Sequence, residues 1–161
     1  MARPKLYPCL WFDGNAVEAA NFYASLLPDS QVDKVWGSPA DTPSGPEGME
    51  LLVDFTLAGQ QLQGLNGGPD FEFNEAISLV IECEDQAEVD RLWDALTVDG
   101  GEPGPCGWLK DRFGLSWQIA PRELNELMDD PAPDRARRAM ESMLQMGKID
   151  LEEIRRAADA A

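Results

Sequence analysis

The stretch CGWLKDRFGLSWQIAP, residues 106–121, decides how this chain folds. Lys110 to Gly114 has the composition of a hairpin turn, and Gly114 supplies the positive φ that such turns need. We expect both charges of this turn, on Lys110 and Asp111, to be solvated. The residues after it alternate strictly between large apolar and small or polar side chains, Leu115, Trp117 and Ile119 against Ser116, Gln118 and Ala120. This alternation predicts a strand whose apolar face packs against a helix and whose polar face lines a cavity.

The composition excludes several classes of function. The chain has 161 residues, a net charge of −17 and no histidine. Binding to nucleic acid or to an anionic membrane needs clustered Lys and Arg, so neither partner is expected. The lack of histidine removes Ser-His-Asp and Cys-His catalysis and every imidazole metal ligand. The charge alone does not identify a cationic ligand, because a solvated acidic surface gives the same count.

The cellular location is predicted from the segments that the sequence lacks. No apolar run approaches the ~20 residues of a membrane span, and the first residues show no signal-peptide pattern. The cysteines, Cys9, Cys83 and Cys106, are widely spaced and form no C-x-x-C pair. We therefore expect a cytoplasmic protein whose thiols are reduced and buried as small hydrophobic side chains.

One order of elements occurs twice along the chain. The first half is a strand at 6–12, a helix that Asn15 caps, and strands at 30–37, 50–57 and 60–65. The second half is a strand at 76–83, a helix that Asp85 caps, a short pair of strands at 102–109 and the closing strand. This repetition predicts two similar modules. Residues 121–161 differ, since their periodicity predicts helices at about 121–128, 133–146 and 150–159.

Three segments resemble the PhnB-like branch of the vicinal oxygen chelate superfamily, which includes glyoxalase I, bleomycin-resistance proteins and extradiol dioxygenases. The segments are PCLWFDGNAVEAANFY (8–23), GLNGGPDFEFNEAISLVIECEDQAEVD (64–90) and CGWLKDRFGLSWQIAP (106–121). Proteins of this branch are often labelled 3-demethylubiquinone-9 3-methyltransferase. The C-terminal MESMLQMGKIDLEEI also resembles tails of that branch.

The resemblance implies an α+β fold in which two βαβββ modules form a curled mixed-sheet cup, followed by a C-terminal helical tail. The implied domain covers 1–121, with module one at about 5–66 and module two at about 76–120, and the helical extension covers 122–161. The resemblance also implies a homodimer.

The resemblance also identifies positions for a metal. Metal-dependent relatives place one ligand, drawn from His, Glu and Gln, in each of four strands. These positions fall on Pro8, near Gln63, at or near Ala76, and on Gln118. Pro8 and Ala76 have no donor atom in their side chains, and two amides bind a divalent transition metal poorly. We therefore predict no metal, no other cofactor and no catalytic residue.

A cup with few catalytic groups is predicted to bind a small apolar or aromatic molecule. By strand alternation and alignment, its expected lining is Leu10, Phe12, Gln63, Ser78, Val80, Trp108, Ser116 and Gln118. Alternatives stay open: these side chains simply fill a core, the protein is a metal-dependent lyase or dioxygenase, or it acts as a regulator through its tail. A methyltransferase is less favoured, because Gly64 to Gly68 is not followed by a helical pattern. The sequence does not decide whether the protein is an enzyme.

Overall fold

The computed structural model describes residues 4–160. The chain divides into two compact units, Met1–Phe73 and Asn74–Ala161. Within residues 4–160, no helix combines the length and the apolar character that crossing a bilayer requires.

The first unit is a mixed sheet with one helix. Its elements are β1 (Cys9–Phe12), α1 (Ala16–Leu26), β2 (Gln31–Gly37), β3 (Glu50–Leu57) and β4 (Gln60–Asn66). The sheet has the order β1-β4-β3-β2, in which β1 runs parallel to β4 and the other pairs are antiparallel. This is the predicted strand, helix and three strands.

Small side chains let α1 pack closely on this sheet. Ala16, Ala19 and Ala20 are fully buried. A Cβ added at Gly64 would lie 2.8 Å from Val53 and 3.1 Å from Ala16, so only glycine fits between them. The core of the first unit therefore lies between α1 and one face of the sheet.

The start of α1 differs from the expectation that Asn15 caps it. Asn15 occupies the capping position, but its side chain makes no capping hydrogen bond. The buried Asn66 replaces it, because its Oδ1 accepts from the Ala16 amide at 2.9 Å while its Nδ2 donates to the Glu50 carbonyl at 2.8 Å. A residue from β4 thus fixes the helix, which local sequence could not indicate.

The second unit repeats the arrangement. Its elements are β5 (Ser78–Cys83), α2 (Gln86–Thr97), β6 (Glu102–Pro103), β7 (Trp108–Lys110) and β8 (Ser116–Pro121), in the sheet order β5-β8-β7-β6. Asp85 caps α2 as predicted, accepting from the Glu88 amide at 2.9 Å. Trp117 and Ile119 are buried on the side of β8 that contacts α2. The predicted α+β fold with two modules is confirmed.

The turn between β7 and β8 is organised by a buried carboxylate. Asp111 is only 2% exposed. It accepts from the amides of Phe113 (2.8 Å) and Leu115 (3.1 Å) and from Trp117 Nε1 (2.8 Å). The expectation of a solvated Asp111 is therefore wrong. The physical reason is that an indole N–H and two turn amides point at one place and need an acceptor there.

Three helices complete the second unit: α3 (Arg122–Met128), α4 (Pro133–Met143) and α5 (Leu151–Asp159). They share a cluster of buried apolar residues, Leu124, Leu127, Ala139, Ile149, Leu151, Ile154 and Ala158. Arg138 closes the end of α5 by donating to the carbonyls of Ala157 and Ala158. The predicted helices are present, with α4 ending three residues earlier than expected because the chain turns before Gly147.

Hydrogen bonds from the Gln86 side chain and from two backbone amides attach this helical tail to the rest of its unit. Gln86 on α2 donates to the Ile149 carbonyl at 2.8 Å and accepts from the Leu151 amide at 2.9 Å. The amides of Cys106 and Gly107 donate to the carbonyls of Met146 and Gly147 at 2.8 and 2.7 Å. The tail is thus part of the same compact unit as β5 to β8.

Candidate functional site

The face of the second sheet that lies opposite α2 carries charged, polar and apolar side chains. Register places Glu102, Lys110, Ser116 and Ser78 in one row across the four strands. The next row contains Trp108, Gln118 and Val80. We call these seven residues the polar face of the second sheet. It contains the predicted lining residues of module two, namely Ser78, Val80, Trp108, Ser116 and Gln118.

One hydroxyl on this face has no hydrogen-bond partner. Gln118 Nε2 donates to Ser78 Oγ at 2.9 Å, so each of these two side chains has a partner. Ser116 is 1% exposed, and its Oγ is the buried side-chain polar atom that lacks a partner within residues 4–160. Leaving a buried hydroxyl unpaired costs about 1–3 kcal/mol. Such a group is a candidate for contact with a ligand.

Ser116 lines a pocket of about 190 Å³. The other lining residues come from the same unit: Glu75, Glu102, Pro103, Gly104, Pro105, Trp108, Leu109 and Lys110. Trp108 and the two prolines give the pocket an apolar wall, and the charged groups and Ser116 give it polar contacts. Mostly apolar walls with a few converging polar groups are the usual composition of a ligand site.

An ion pair stands at the edge of this pocket. Lys110 Nζ lies 2.5 Å from Glu75 Oε1, which is in the turn before β5. Their hydrogen bond raises the pKa of Lys110 and lowers the pKa of Glu75, so both groups stay charged at neutral pH. Both side chains are at least a third exposed, and the pair therefore contributes little to stability. The sequence indicated only a solvated turn residue at Lys110 and no role for Glu75, although the position of Lys110 two residues after Trp108 places it on the same face.

The corresponding face of the first sheet holds a different polar network. Gln63 Nε2 donates to Asp54 Oδ1 at 2.9 Å, and Trp36 Nε1 donates to Asp54 Oδ2 at 2.7 Å. Lys34 Nζ lies 3.2 Å from the centre of the Trp36 ring. Gln63 therefore lies on the face opposite α1, as expected, and its amide group is already engaged.

Leu10 and Phe12 are placed differently from the expected lining. They are 6% and 2% exposed and lie on the side of β1 that faces α1, where Phe12 comes near Gly64. They fill the core of the first unit. Both faces of this strand carry apolar side chains, with Cys9 and Trp11 on the other, so alternation could not decide which face is buried.

The residues at the superfamily's metal positions do not fit a metal ion. Pro8 and Ala76 offer no donor, and the amide groups of Gln63 and Gln118 are bonded to Asp54 and Ser78. Within the part of the chain that the structure describes, no three His, Cys, Asp or Glu side chains come together as a metal site. Carboxylate or imidazole ligands would be needed for a divalent transition metal.

A comparison with models of known protein families identifies the family of this chain. The model described as 3-demethylubiquinone-9 3-methyltransferase matches residues 4–120. The chain belongs to this family. Its PhnB-like assignment is thereby confirmed. The match ends before α3, so the tail helices α3 to α5 lie outside the part that defines the 3-demethylubiquinone-9 3-methyltransferase family.

Solved structures agree with this fold. A PhnB protein from Bacillus cereus is 31% identical to this chain, with a TM-score of 0.64. The match covers 73% of this chain and 99% of the Bacillus cereus chain. A protein from Pseudomonas aeruginosa is 21% identical, with a TM-score of 0.59, covering 74% and 98%. A variant of the fosfomycin resistance protein FosX from Listeria monocytogenes, solved with Mn(II) and 1S,2S-dihydroxypropylphosphonic acid, is 15% identical, with a TM-score of 0.51, covering 74% and 93%. At 21% and 15% identity, the latter two structures support the fold alone. A comparison with curated proteins gave no match.

The cysteines differ in burial, which corrects the expectation that all are buried. Cys83 is fully buried, whereas Cys9 is exposed and Cys106 is intermediate. Burial raises the pKa of Cys83 to about 12. We expect iodoacetamide at pH 8 to alkylate Cys9 at least about a hundredfold faster than Cys83 in the native protein. Mass spectrometry of timed samples measures this, with urea-unfolded protein as control. Equal rates in the native protein would contradict the burial of Cys83.

Proposed function

We propose that this protein binds a small molecule with an aromatic or apolar part on the polar face of the second sheet, without a metal. The unpartnered Ser116 Oγ carries this proposal. A buried hydroxyl that lines a pocket is costly in the free protein, and a ligand that hydrogen-bonds to it removes that cost. Trp108 and the exposed Val80 supply the apolar contacts on the same face.

The family is named after a methyltransferase, but the name alone is not evidence that this chain transfers a methyl group. A methyltransferase of the doubly wound type binds its cofactor over a glycine-rich turn between a strand and a helix. Here Gly64 belongs to β4, which ends at Asn66, and residues 67–77 contain no helix. Ligand binding is therefore the function that the described residues support best.

Substituting Ser116 by alanine tests the proposal through two opposite effects. We expect Ser116→Ala to raise the free energy of unfolding by about 1 kcal/mol, because it removes an unsatisfied hydroxyl. We expect the same variant to weaken binding of benzyl alcohol at least about fivefold, because the hydrogen bond to the ligand is lost. Urea unfolding and an NMR titration of the Ser116 and Gln118 amides and the Trp108 indole measure the two effects. Ser25→Ala, at an exposed position on α1, is the control: it should leave binding unchanged and shift the free energy of unfolding only by the higher helix propensity of alanine, about 0.5 kcal/mol at most.

Two results would contradict the proposal. One is a stabilised Ser116→Ala variant that binds the probe as tightly as the unchanged protein, because the hydroxyl would then have no role in binding. The other is that benzyl alcohol and its charged analogues, benzylamine and benzoate, all leave the resonances of the polar face unmoved. Both results would favour a packed face without a ligand.

Metal content tests the alternative of a metal-dependent lyase or dioxygenase. We expect elemental mass spectrometry to find less than about a tenth of a transition-metal ion per chain, because the ligand positions hold proline, alanine and two engaged amides. The protein should be purified without chelator and without a metal-affinity step. One ion per chain would contradict the metal-free proposal and favour the lyase or dioxygenase.

We also propose that the protein forms the homodimer that the family resemblance implies. Val35 and Trp36 on β2 are 39% and 40% exposed, and β2 is an edge strand. Exposed apolar side chains on an edge strand favour association. Sedimentation velocity distinguishes the dimer from a monomer, and a monomer at every concentration measured would contradict this assignment.

A further inference from the structure

The charge of the ligand follows from the groups that line the pocket beside Ser116, an inference that rests on the proposed function. Lys110 and Glu75 neutralise each other, since their charged atoms lie 2.5 Å apart. Glu102 lines the same pocket, and within residues 4–160 it forms no salt bridge. It raises the pKa of Lys110 only through the electrostatic attraction between the two charges. The pocket therefore has one carboxylate whose charge is not neutralised by direct contact.

The sheet register places this carboxylate within the row that contains the unpartnered hydroxyl. Glu102 is opposite Lys110 on β7, and Lys110 is opposite Ser116 on β8. Trp108 lies two residues before Lys110 and on the same face, where its ring also lines the pocket. An unpaired carboxylate, an aromatic ring and an unsatisfied hydroxyl thus border one space of about 190 Å³.

We propose that the ligand carries a protonated amine, bound between the Glu102 carboxylate and the Trp108 ring and donating a hydrogen bond to Ser116 Oγ. A carboxylate supplies the opposite charge, an indole is the best aromatic partner for a cation, and a hydroxyl oxygen accepts from an ammonium group. The ammonium group would thus pair with the Glu102 carboxylate, stack on the Trp108 ring and donate a hydrogen bond to Ser116 Oγ.

An anionic ligand fits the same groups poorly. Its charge would lie near Glu102, and it would have to displace Glu75 from Lys110 to gain a cation. Like charges brought together without compensation are unfavourable, most of all where water is partly excluded. The net charge of −17 adds a long-range field that concentrates cations at the surface.

Three probes that share one aromatic ring and differ in charge test this inference. At pH 7, benzylamine is a cation, benzyl alcohol is neutral and benzoate is an anion. NMR titrations monitor the Ser116 and Gln118 amides and the Trp108 indole. We expect benzylamine to bind at least about fivefold more tightly than benzyl alcohol, and benzoate to bind most weakly. Added salt should narrow the difference.

An isosteric variant then assigns the preference to one residue. Glu102→Gln should reduce the ratio of the benzylamine and benzyl alcohol affinities to about one, because it removes the charge and keeps the shape. Glu102 is exposed, so this variant should fold normally. Glu126→Gln, at an exposed position on α3, is the matched control and should leave the ratio unchanged.

The outcomes separate this inference from the proposed function. Equal affinities for the three probes, or tightest binding of benzoate, would overturn the cationic assignment while the binding site stands. A benzylamine preference that survives in Glu102→Gln would also overturn it. If no probe moves the resonances of the polar face, the proposed function fails as well.

Discussion

Replacing Asp111 with alanine should lower the free energy of unfolding by about 3–5 kcal/mol. The side chain is 2% exposed and accepts three hydrogen bonds, from the amides of Phe113 and Leu115 and from the indole of Trp117. Alanine would leave these donors without an acceptor, and two of them, the Leu115 amide and the Trp117 indole, are buried. Each unsatisfied buried donor costs about 1–3 kcal/mol, with partial relaxation of the turn reducing the sum.

Urea unfolding of two variants and one control measures this effect. Asp111→Asn should lose about 2–3 kcal/mol, because one side-chain oxygen remains while an NH₂ group faces at least one of the former donors. Asp94→Ala, an exposed aspartate on α2, should stay within about 0.5 kcal/mol of the unchanged protein. If Asp111→Ala loses less than about 1 kcal/mol, the turn is solvated and its buried carboxylate is not what holds it.

Replacing Gly107 with alanine should lower the free energy of unfolding by about 2–4 kcal/mol. Two causes add at this position. Gly107 has φ +82°, a conformation that costs about 1–2 kcal/mol for a residue with a Cβ. A Cβ there would also lie 2.9 Å from the Ile119 carbonyl oxygen and 3.1 Å from Ile149 Cγ1, so β8 or the tail must shift.

Gly114→Ala is the matched control for this substitution. Gly114 has a φ of +85°, almost the same as Gly107, but no atom within 4 Å of an added Cβ. We expect it to lose only the backbone cost of about 1–2 kcal/mol. Urea unfolding of both variants therefore isolates the overlap at Gly107 as their difference. Equal losses would show that the contact of Gly107 with β8 and the tail is loose enough to accept a methyl group.

The sequence predicted the second module better than the first, for a physical reason. In β8, large and small side chains alternate without exception, so the helix-facing side and the polar side could be distinguished and Ser116 and Gln118 were assigned to the correct face. In β1, Leu10 and Phe12 alternate with Cys9 and Trp11, which are also apolar. Such a strand gives no preference for either face. The placement of Leu10 and Phe12 in the core depends on the contact between Ala16 and Gly64, and Gly64 is distant in sequence.

The roles of single polar residues were harder to predict than the elements that carry them. Asp111 is in a charged turn and looks solvated, but its partners become buried only when β8 packs against α2. Asn66 caps α1 from 50 residues away. Ser116 has no partner because its polar neighbours bond to other residues: Gln118 donates to Ser78, and Lys110 pairs with Glu75. No local sequence pattern indicates these pairings. The identity of the ligand stays a prediction for the same reason.

The parallel pairing within each sheet has a consequence for synthesis of the chain. The first strand of each unit pairs with the last strand of its sheet, since β1 pairs with β4 and β5 pairs with β8. Neither sheet is complete until that last strand has left the ribosome. During this delay β5, which contains the apolar run Leu79 to Ile81, has no strand beside it on the nascent chain, and such a segment is then most prone to aggregate. We therefore expect the slow step of folding to be the arrival of β8, with the local helices α4 and α5 forming rapidly afterwards.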